Sequence, residues 1–177
     1  MKWTVHSERA VYENPWLAVH LADVELPDGR HLDHYLLRQR PVVVVAMLDA
    51  EERVLLLWRH RFIPDAWGWE LPAGVVDTDD DLVAHAAREA EEETGWRPLD
   101  LRPLLSARPG GGLSDAIHHV FWTDQAKHIG DPEDDFESTR IEWVPLGDVP
   151  ALVDSGKIQE ASTVAALLRL HLLRHPR

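Results

Sequence analysis

Four glutamates crowd the end of one predicted helix, in Arg88-Glu89-Ala90-Glu91-Glu92-Glu93-Thr94-Gly95. Carboxylates sit well at a helix N-terminus and badly at its C-terminus, where the dipole is negative. Glu89, Glu92 and Glu93 are related by steps of three and four. They therefore share a face and repel by about 0.2–0.5 kcal/mol per pair. A divalent cation is the natural compensator, since a hard ion such as Mg²⁺ takes carboxylate oxygens together with waters and phosphates. The plainer reading is a solvated Glu-rich face. The segment just before, Trp67-Gly68-Trp69-Glu70-Leu71-Pro72-Ala73-Gly74-Val75-Val76, runs as a Pro/Gly loop into the helix. It sets backbone carbonyls beside the acidic face, and together the two segments make a metal cradle.

The helix itself is expected over Thr78 to Thr94. Thr78 is the expected N-cap, and Asp79, Asp80 and Asp81 suit the positive end of the dipole. Leu82, Val83, Ala86, Ala87 and Ala90 form its apolar side, and Gly95 suits the stop. Upstream, Trp16 to Leu37 reads as two strands joined by the turn Pro27-Asp28-Gly29-Arg30. The β-branched run Val42 to Leu48 reads as a strand buried on both faces, turning back into Val54 to Trp58. Short strands are expected at Leu101 to Ala107, His118 to Thr123 and Ile141 to Val144, and helices at Leu146 to Asp154 and Glu160 to Leu173. These elements predict a single mixed α and β domain, with the first forty residues as an appended arm.

Of 177 residues, 18 are basic and 31 acidic, a formal charge of −13. With no Lys/Arg run to offset it, that charge argues against nucleic acid or an anionic membrane as partner. An acidic protein still binds a phosphate-bearing ligand when metal ions lie between the two sets of charge. Cysteine is absent, which removes disulfides, thiol nucleophiles and Cys-ligated metals. Met1 to Ala10 does not resemble a signal peptide, and the longest apolar run, Pro41 to Leu48, is too short to span a bilayer. A cytoplasmic protein is expected.

From Gly74 to Trp96 the chain resembles the Nudix box, Gly-x5-Glu-x7-Arg-Glu-U-x-Glu-Glu-x-Gly-U, with U a bulky apolar residue. Gly74, Arg88, Glu89, Glu92, Glu93, Gly95 and Trp96 stand in their places, and Ala90 is a small occupant of the first U. Asp80 departs from the pattern, standing where the box has its first Glu, one methylene shorter. The resemblance implies an α+β Nudix fold, mixed β-sheets packed between helices (an α/β/α sandwich), with an N-terminal antiparallel hairpin arm. It implies Glu89, Glu93 and the Ala73 carbonyl as metal ligands, and Glu92 holding Arg88 as part of the catalytic set. The metal implied is Mg²⁺, with Mn²⁺ as an alternative.

The wider chain resembles the ADP-ribose pyrophosphatase branch of that family. The branch implies hydrolysis of the diphosphate of ADP-ribose or a related nucleotide sugar, giving a nucleoside monophosphate and a sugar phosphate. Arg61, with Arg59 and Glu70 near it, is then expected to bind substrate; for the two arginines, plain surface charge is the alternative. Trp67 and Trp69 are expected in packing rather than base stacking. The general base is expected from the acidic segment Gly130 to Glu137, with Glu137 favoured over Asp135 and Glu133. Residues 1–40 would form the arm, exchanged in a homodimer, and 41–177 the hydrolase domain. Gly111 stands where the branch tends to carry a proline, within a glycine-rich loop expected to be mobile. The alternative function is a Nudix-fold nucleotide sensor without catalysis.

Overall fold

The computed structural model describes residues 1–77, 81–133 and 138–175. The chain divides into two compact units, Met1–Pro41 with Arg108–Ile117, and Val42–Ala107 with His118–Arg177.

The first unit is a three-stranded antiparallel sheet in the order β1 (Thr4–Glu13), β2 (Ala18–Glu25), β3 (His31–Arg38). The sequence predicts a hairpin, and β2 and β3 are that hairpin. β1 is an addition, because its alternation is broken by register shifts between Val5 and Ser7 and between Ala10 and Tyr12. The glycine-rich segment is clasped to β3: Leu37 N–H donates to the Leu113 carbonyl at 2.8 Å, and Arg38 Nη1 lies 3.0 Å from Asp115 Oδ2.

The second unit is built on β4 (Val42–Met47). This strand lies inside a sheet of order β7 (Ala73–Val75), β4, β10 (His118–Thr123), β9 (Arg102–Ala107), parallel to β10 and antiparallel to β7. A second sheet orders β12 (Arg140–Pro145), β5 (Arg53–Arg61) and β6 (Ala66–Glu70). A short pair joins β8 (Trp96–Pro98) to β11 (Ala126–His128).

Alternation along β4 divides the core. Val43, Val45 and Met47 pack with Ala86 and Ala90 of α1 (Leu82–Thr94). Val44, Ala46 and Leu48 pack with Ala166, Leu167 and Leu170 of α3 (Ala161–Arg174). Successive strand side chains point to opposite faces, so one strand serves two helix layers and the unit is an α/β/α sandwich. Fully burying each valine, leucine or methionine among them contributes about 1.5–3 kcal/mol.

Local details differ from the sequence expectation at the element ends. The N-cap of α1 is Asp81, whose carboxylate accepts from Val83 N–H at 2.9 Å, rather than Thr78, which lies outside the described residues. The helix expected over Leu146 to Asp154 is a 3-10 turn, Leu146–Asp148, continued by α2 (Val149–Asp154). Residues expected as a loop before α1 form β6 and β7 instead. Their few residues carry too little alternation to show a strand, and pairing with β5 and β4 decides the matter. No helix among the described residues is long and apolar enough to cross a membrane.

Candidate active site

β7 brings Ala73 and Gly74 against α1, and two glutamates of the helix close on them. Glu93 is gripped at both oxygens: Oε2 accepts from the Ala73 N–H at 2.9 Å, and Oε1 accepts from Arg59 Nη2 at 2.9 Å. Glu93 is 5% exposed and Arg59, from β5, only 3%. A carboxylate so withdrawn from water remains charged only with such donors around it.

Glu89, one turn earlier, leans on Gly74. A β-carbon at Gly74 would overlap the Glu89 carboxylate, so this position needs glycine for close approach rather than for its backbone angles. Glu89 Oε1 lies 3.0 Å from His85 Nε2, and Arg88 Nη2 lies 2.5 Å from His85 Nδ1. Sequence reasoning did not single out the buried His85. Its signal was the step of four to Glu89 and of three to Arg88. Glu91 turns toward Arg97, which donates to both its oxygens at 2.6 and 2.8 Å and holds its carboxyl below the usual range. The crowding of glutamates is thus answered in part by protein donors, Arg59 for Glu93 and Arg97 for Glu91, while the His85 ring stands against Glu89.

The end of α1 also anchors the acidic segment. Gly95 has φ of 71°, and a β-carbon there would overlap the Gly130 carbonyl. Ile129 N–H donates to the Gly95 carbonyl, and Glu133 N–H to the Glu92 carbonyl, each at 2.9 Å. Glu133 is therefore tied to the helix that carries Glu89 and Glu93. Glu137 and Asp135 lie outside the described residues, as does Asp80.

Arg59 and Arg61 are two apart on β5 and so share a face. Arg61 makes a forked pair with the buried Glu70, Nε to Oε1 at 3.0 Å and Nη2 to Oε2 at 2.5 Å. Both line a cleft of about 580 Å³, with Phe62, Trp67 and Glu160 among its other walls. Trp67 is half exposed in the cleft and stacks on Trp58 at 6.3 Å, whereas Trp69 is buried in the core. One face of β5 thus links the helix carboxylates to an open cleft. His118 and His119 are engaged elsewhere, His118 Nδ1 with Ser162 Oγ at 2.7 Å and His119 Nδ1 with Ser106 Oγ at 3.4 Å.

The residues fit a hard divalent cation. Glu89 and Glu93 meet at the Ala73–Gly74 strand, and the cradle exists because Gly74 has no β-carbon. Two carboxylates with a backbone oxygen leave room for waters and phosphate oxygens, the shell that Mg²⁺ and similar ions prefer.

The model of the NUDIX domain matches residues 37–167, and that of the nucleoside diphosphate sugar hydrolase N-terminal domain matches residues 3–37. The chain is 40% identical over 168 residues to a CMP-5'-(N-acetyl-N-hydroxy-3-aminopropyl)phosphonate hydrolase of Streptomyces rubellomurinus, covering 95% of this chain and 82% of that protein. It is 25% identical over 168 residues to an ADP-ribose pyrophosphatase of Bacillus subtilis, covering 94% and 91%. In fold it is similar to the crystal structure of an ADP compounds hydrolase, with a TM-score of 0.79 at 19% identity, covering 100% of this chain and 97% of that one. With the carboxylates of α1 closed on Gly74 inside the matched domain, the chain belongs to the Nudix family and is a pyrophosphohydrolase of nucleotide diphosphate derivatives.

Proposed function

We propose that the substrate is ADP-ribose or a related nucleotide sugar, cut at its diphosphate to a nucleoside monophosphate and a sugar phosphate. The observation that carries this reading is the shared face of β5, where Arg59 holds Glu93 and Arg61, paired with Glu70, opens the cleft. Support also comes from the similarity to the Bacillus subtilis ADP-ribose pyrophosphatase along nearly the whole chain.

In this proposal Mg²⁺, or Mn²⁺ in its place, is held by Glu89, Glu93 and the Ala73 carbonyl. When bound it supplies neutralisation of phosphate charge and a water of lowered pKa. The chain's own groups do the rest. Arg59 and the Ala73 N–H keep Glu93 in place, His85 steadies Glu89, and Arg88 and Glu92 complete the catalytic set. Arg61 and Glu70 bind and orient the substrate at the cleft, so that positioning contributes directly to rate. A carboxylate of the acidic segment, Glu137 before Asp135 or Glu133, takes the proton of the attacking water. The anchoring of Glu133 on Glu92 supports drawing the base from this segment.

The proposed assembly is a homodimer in the cytoplasm, with residues 1–40 as the arm and 41–177 as the hydrolase domain. β1 is an edge strand exposed along its whole length; it carries Val5, Val11 and Tyr12, and the exposed Trp3 lies just before it. An apolar edge of that kind is normally covered, and a second copy of the chain would cover it. Light scattering behind size exclusion should give twice the chain mass; a monomer would remove the dimer from the proposal.

The Streptomyces relative favours a second reading, in which a CMP group is joined to a phosphonate. The bond cleaved would again join two phosphorus atoms through oxygen, so the same carboxylates serve. A substrate panel decides: ADP-ribose, ADP-glucose, GDP-mannose, a dinucleoside polyphosphate, NADH, a nucleoside triphosphate and a CMP-linked phosphonate. Each is offered with Mg²⁺ and separately with Mn²⁺, and products are resolved by chromatography. Fastest release of AMP and ribose phosphate from ADP-ribose supports the first reading, and fastest release of CMP the second. Tight nucleotide binding in calorimetry without turnover would instead favour the non-catalytic sensor.

A further inference from the structure

The N-terminal sheet carries a cluster that hydrolysis does not use. His6 of β1, Glu25 at the end of β2 and His31 at the start of β3 each offer one ligand atom, all within 4.8 Å of one another. The register explains the meeting. His31 is the cross-strand partner of Glu25, and Thr4 is its partner from the other side. The ladder then shifts between Val5 and Ser7, which leaves His6 as the extra residue of a bulge opposite Val24 and Asp23, with its ring reaching Glu25. Bulges re-aim side chains in this way.

The internal contacts have the form of a metal site. His6 Nε2 lies 2.6 Å from Glu25 Oε2, and the His6 and His31 rings stack with centroids 5.0 Å apart. His31 Nδ1 bonds to Asp23 Oδ1 at 2.8 Å, which leaves Nε2 as the ligand atom. Histidines that bind metals commonly give their other ring N–H to a carboxylate in this manner, which sets tautomer and orientation. Asp23 and Glu25 are two apart on β2 and share the face opposite the buried Ala22 and Val24. With neutral imidazoles the group carries two negative charges, open to water.

We propose that His6, Glu25 and His31 bind a divalent ion of the Zn²⁺ class, with Asp23 orienting His31, and that the ion clips the three strands of this sheet together. Ligands at about 2.0–2.1 Å around a tetrahedral ion lie about 3.4 Å apart, so small side-chain rotations from the present spacing suffice. Two imidazoles and one carboxylate leave the fourth position to water. Imidazole ligands select Zn²⁺, Ni²⁺ or Cu²⁺ over Mg²⁺, so this site and the all-oxygen cluster at α1 take different ions.

The test uses the tag-free full chain in saturating Mg²⁺, which fills the oxygen cluster. Zinc is titrated by calorimetry, and X-ray absorption is recorded at less than one equivalent of zinc. The expected result is about one zinc per chain with two imidazoles in its shell. His6→Gln and His31→Gln should lose that binding, and Asp23→Asn should weaken it about 10- to 100-fold. Glu25→Gln provides a further ligand variant if a histidine change disturbs folding, and hydrolysis in Mg²⁺ should be unchanged by His6→Gln. Zinc bound without imidazole ligands, or bound equally by the His6 and His31 variants, overturns the proposal. So does loss of binding in His171→Gln, which removes one of the two adjoining rings on the last helix turn.

Discussion

The carboxylate of Glu89 occupies the space in which a β-carbon of residue 74 would stand, and glycine at that position is what lets helix and strand close. Gly74→Ala must push Glu89 away from Ala73 and Glu93. Misplacement by about 1 Å near a reacting centre costs about 100-fold in rate. The expected outcome is a fall in kcat of that order with near-parental thermal stability, and a higher Mg²⁺ concentration for half-maximal rate. Parental kcat and metal dependence would show that Glu89 has nothing to do with the cation.

Arg59 and Glu93 are a buried pair, and breaking such a pair is costly. Arg59→Met should destabilise the chain by about 3–5 kcal/mol in urea unfolding without metal. Combining it with Glu93→Gln should cost less than the sum of the single changes, since the charge left behind is then removed too. Strict additivity would mean that the 2.9 Å contact carries no coupling.

Gly95 and Gly156 both have φ near +70°, but only at Gly95 does an added β-carbon overlap backbone, the carbonyl of Gly130. Alanine in a left-handed conformation costs about 1–2 kcal/mol by itself. Gly156→Ala should show that cost alone. Gly95→Ala should cost more and also slow turnover, because the acidic segment beginning at Gly130 must move. Equal costs and an unchanged rate would show that the loop absorbs the β-carbon.

Burial of His118 disfavours its imidazolium and lowers its pKa below the ordinary 6.5, with Glu160 opposing the shift. Above that pH the ring is neutral in the folded and unfolded chain, and titration contributes nothing. As pH falls below 6.5 the unfolded chain takes up the proton first. Stability is then lost until the folded-state pKa is reached, where the loss levels off. Urea unfolding at pH 8 and pH 5.5 should therefore show a larger drop for the parent than for His118→Gln. Equal drops would exclude His118 as a source of acid sensitivity.

Much of the candidate site was legible because its chemistry is local. Glu89, Glu92 and Glu93 lie on one helix, and the spacing of a helix alone puts their carboxylates on one face. The two-sided burial of Val42 to Leu48 was legible for a similar reason, since an unbroken β-branched run leaves no face for water. The end at Gly95 was equally plain. β1, β6 and β7 were not, because short or bulged strands carry little alternation of their own and exist through their partners.

What the sequence by itself determined is the acidic helix face, the glycines that bound it and the strand run beneath it. Each depends only on contacts within a few residues or on a backbone angle that one residue type adopts. What only the tertiary structure decided is which distant groups answer those charges. Arg59 reaches Glu93 across 34 positions and Arg61 reaches Glu70 across nine, while His6, Glu25 and His31 meet through the register of three strands. A long-range partner is chosen by strand pairing and burial, and neither is written in the spacing of the residues that meet.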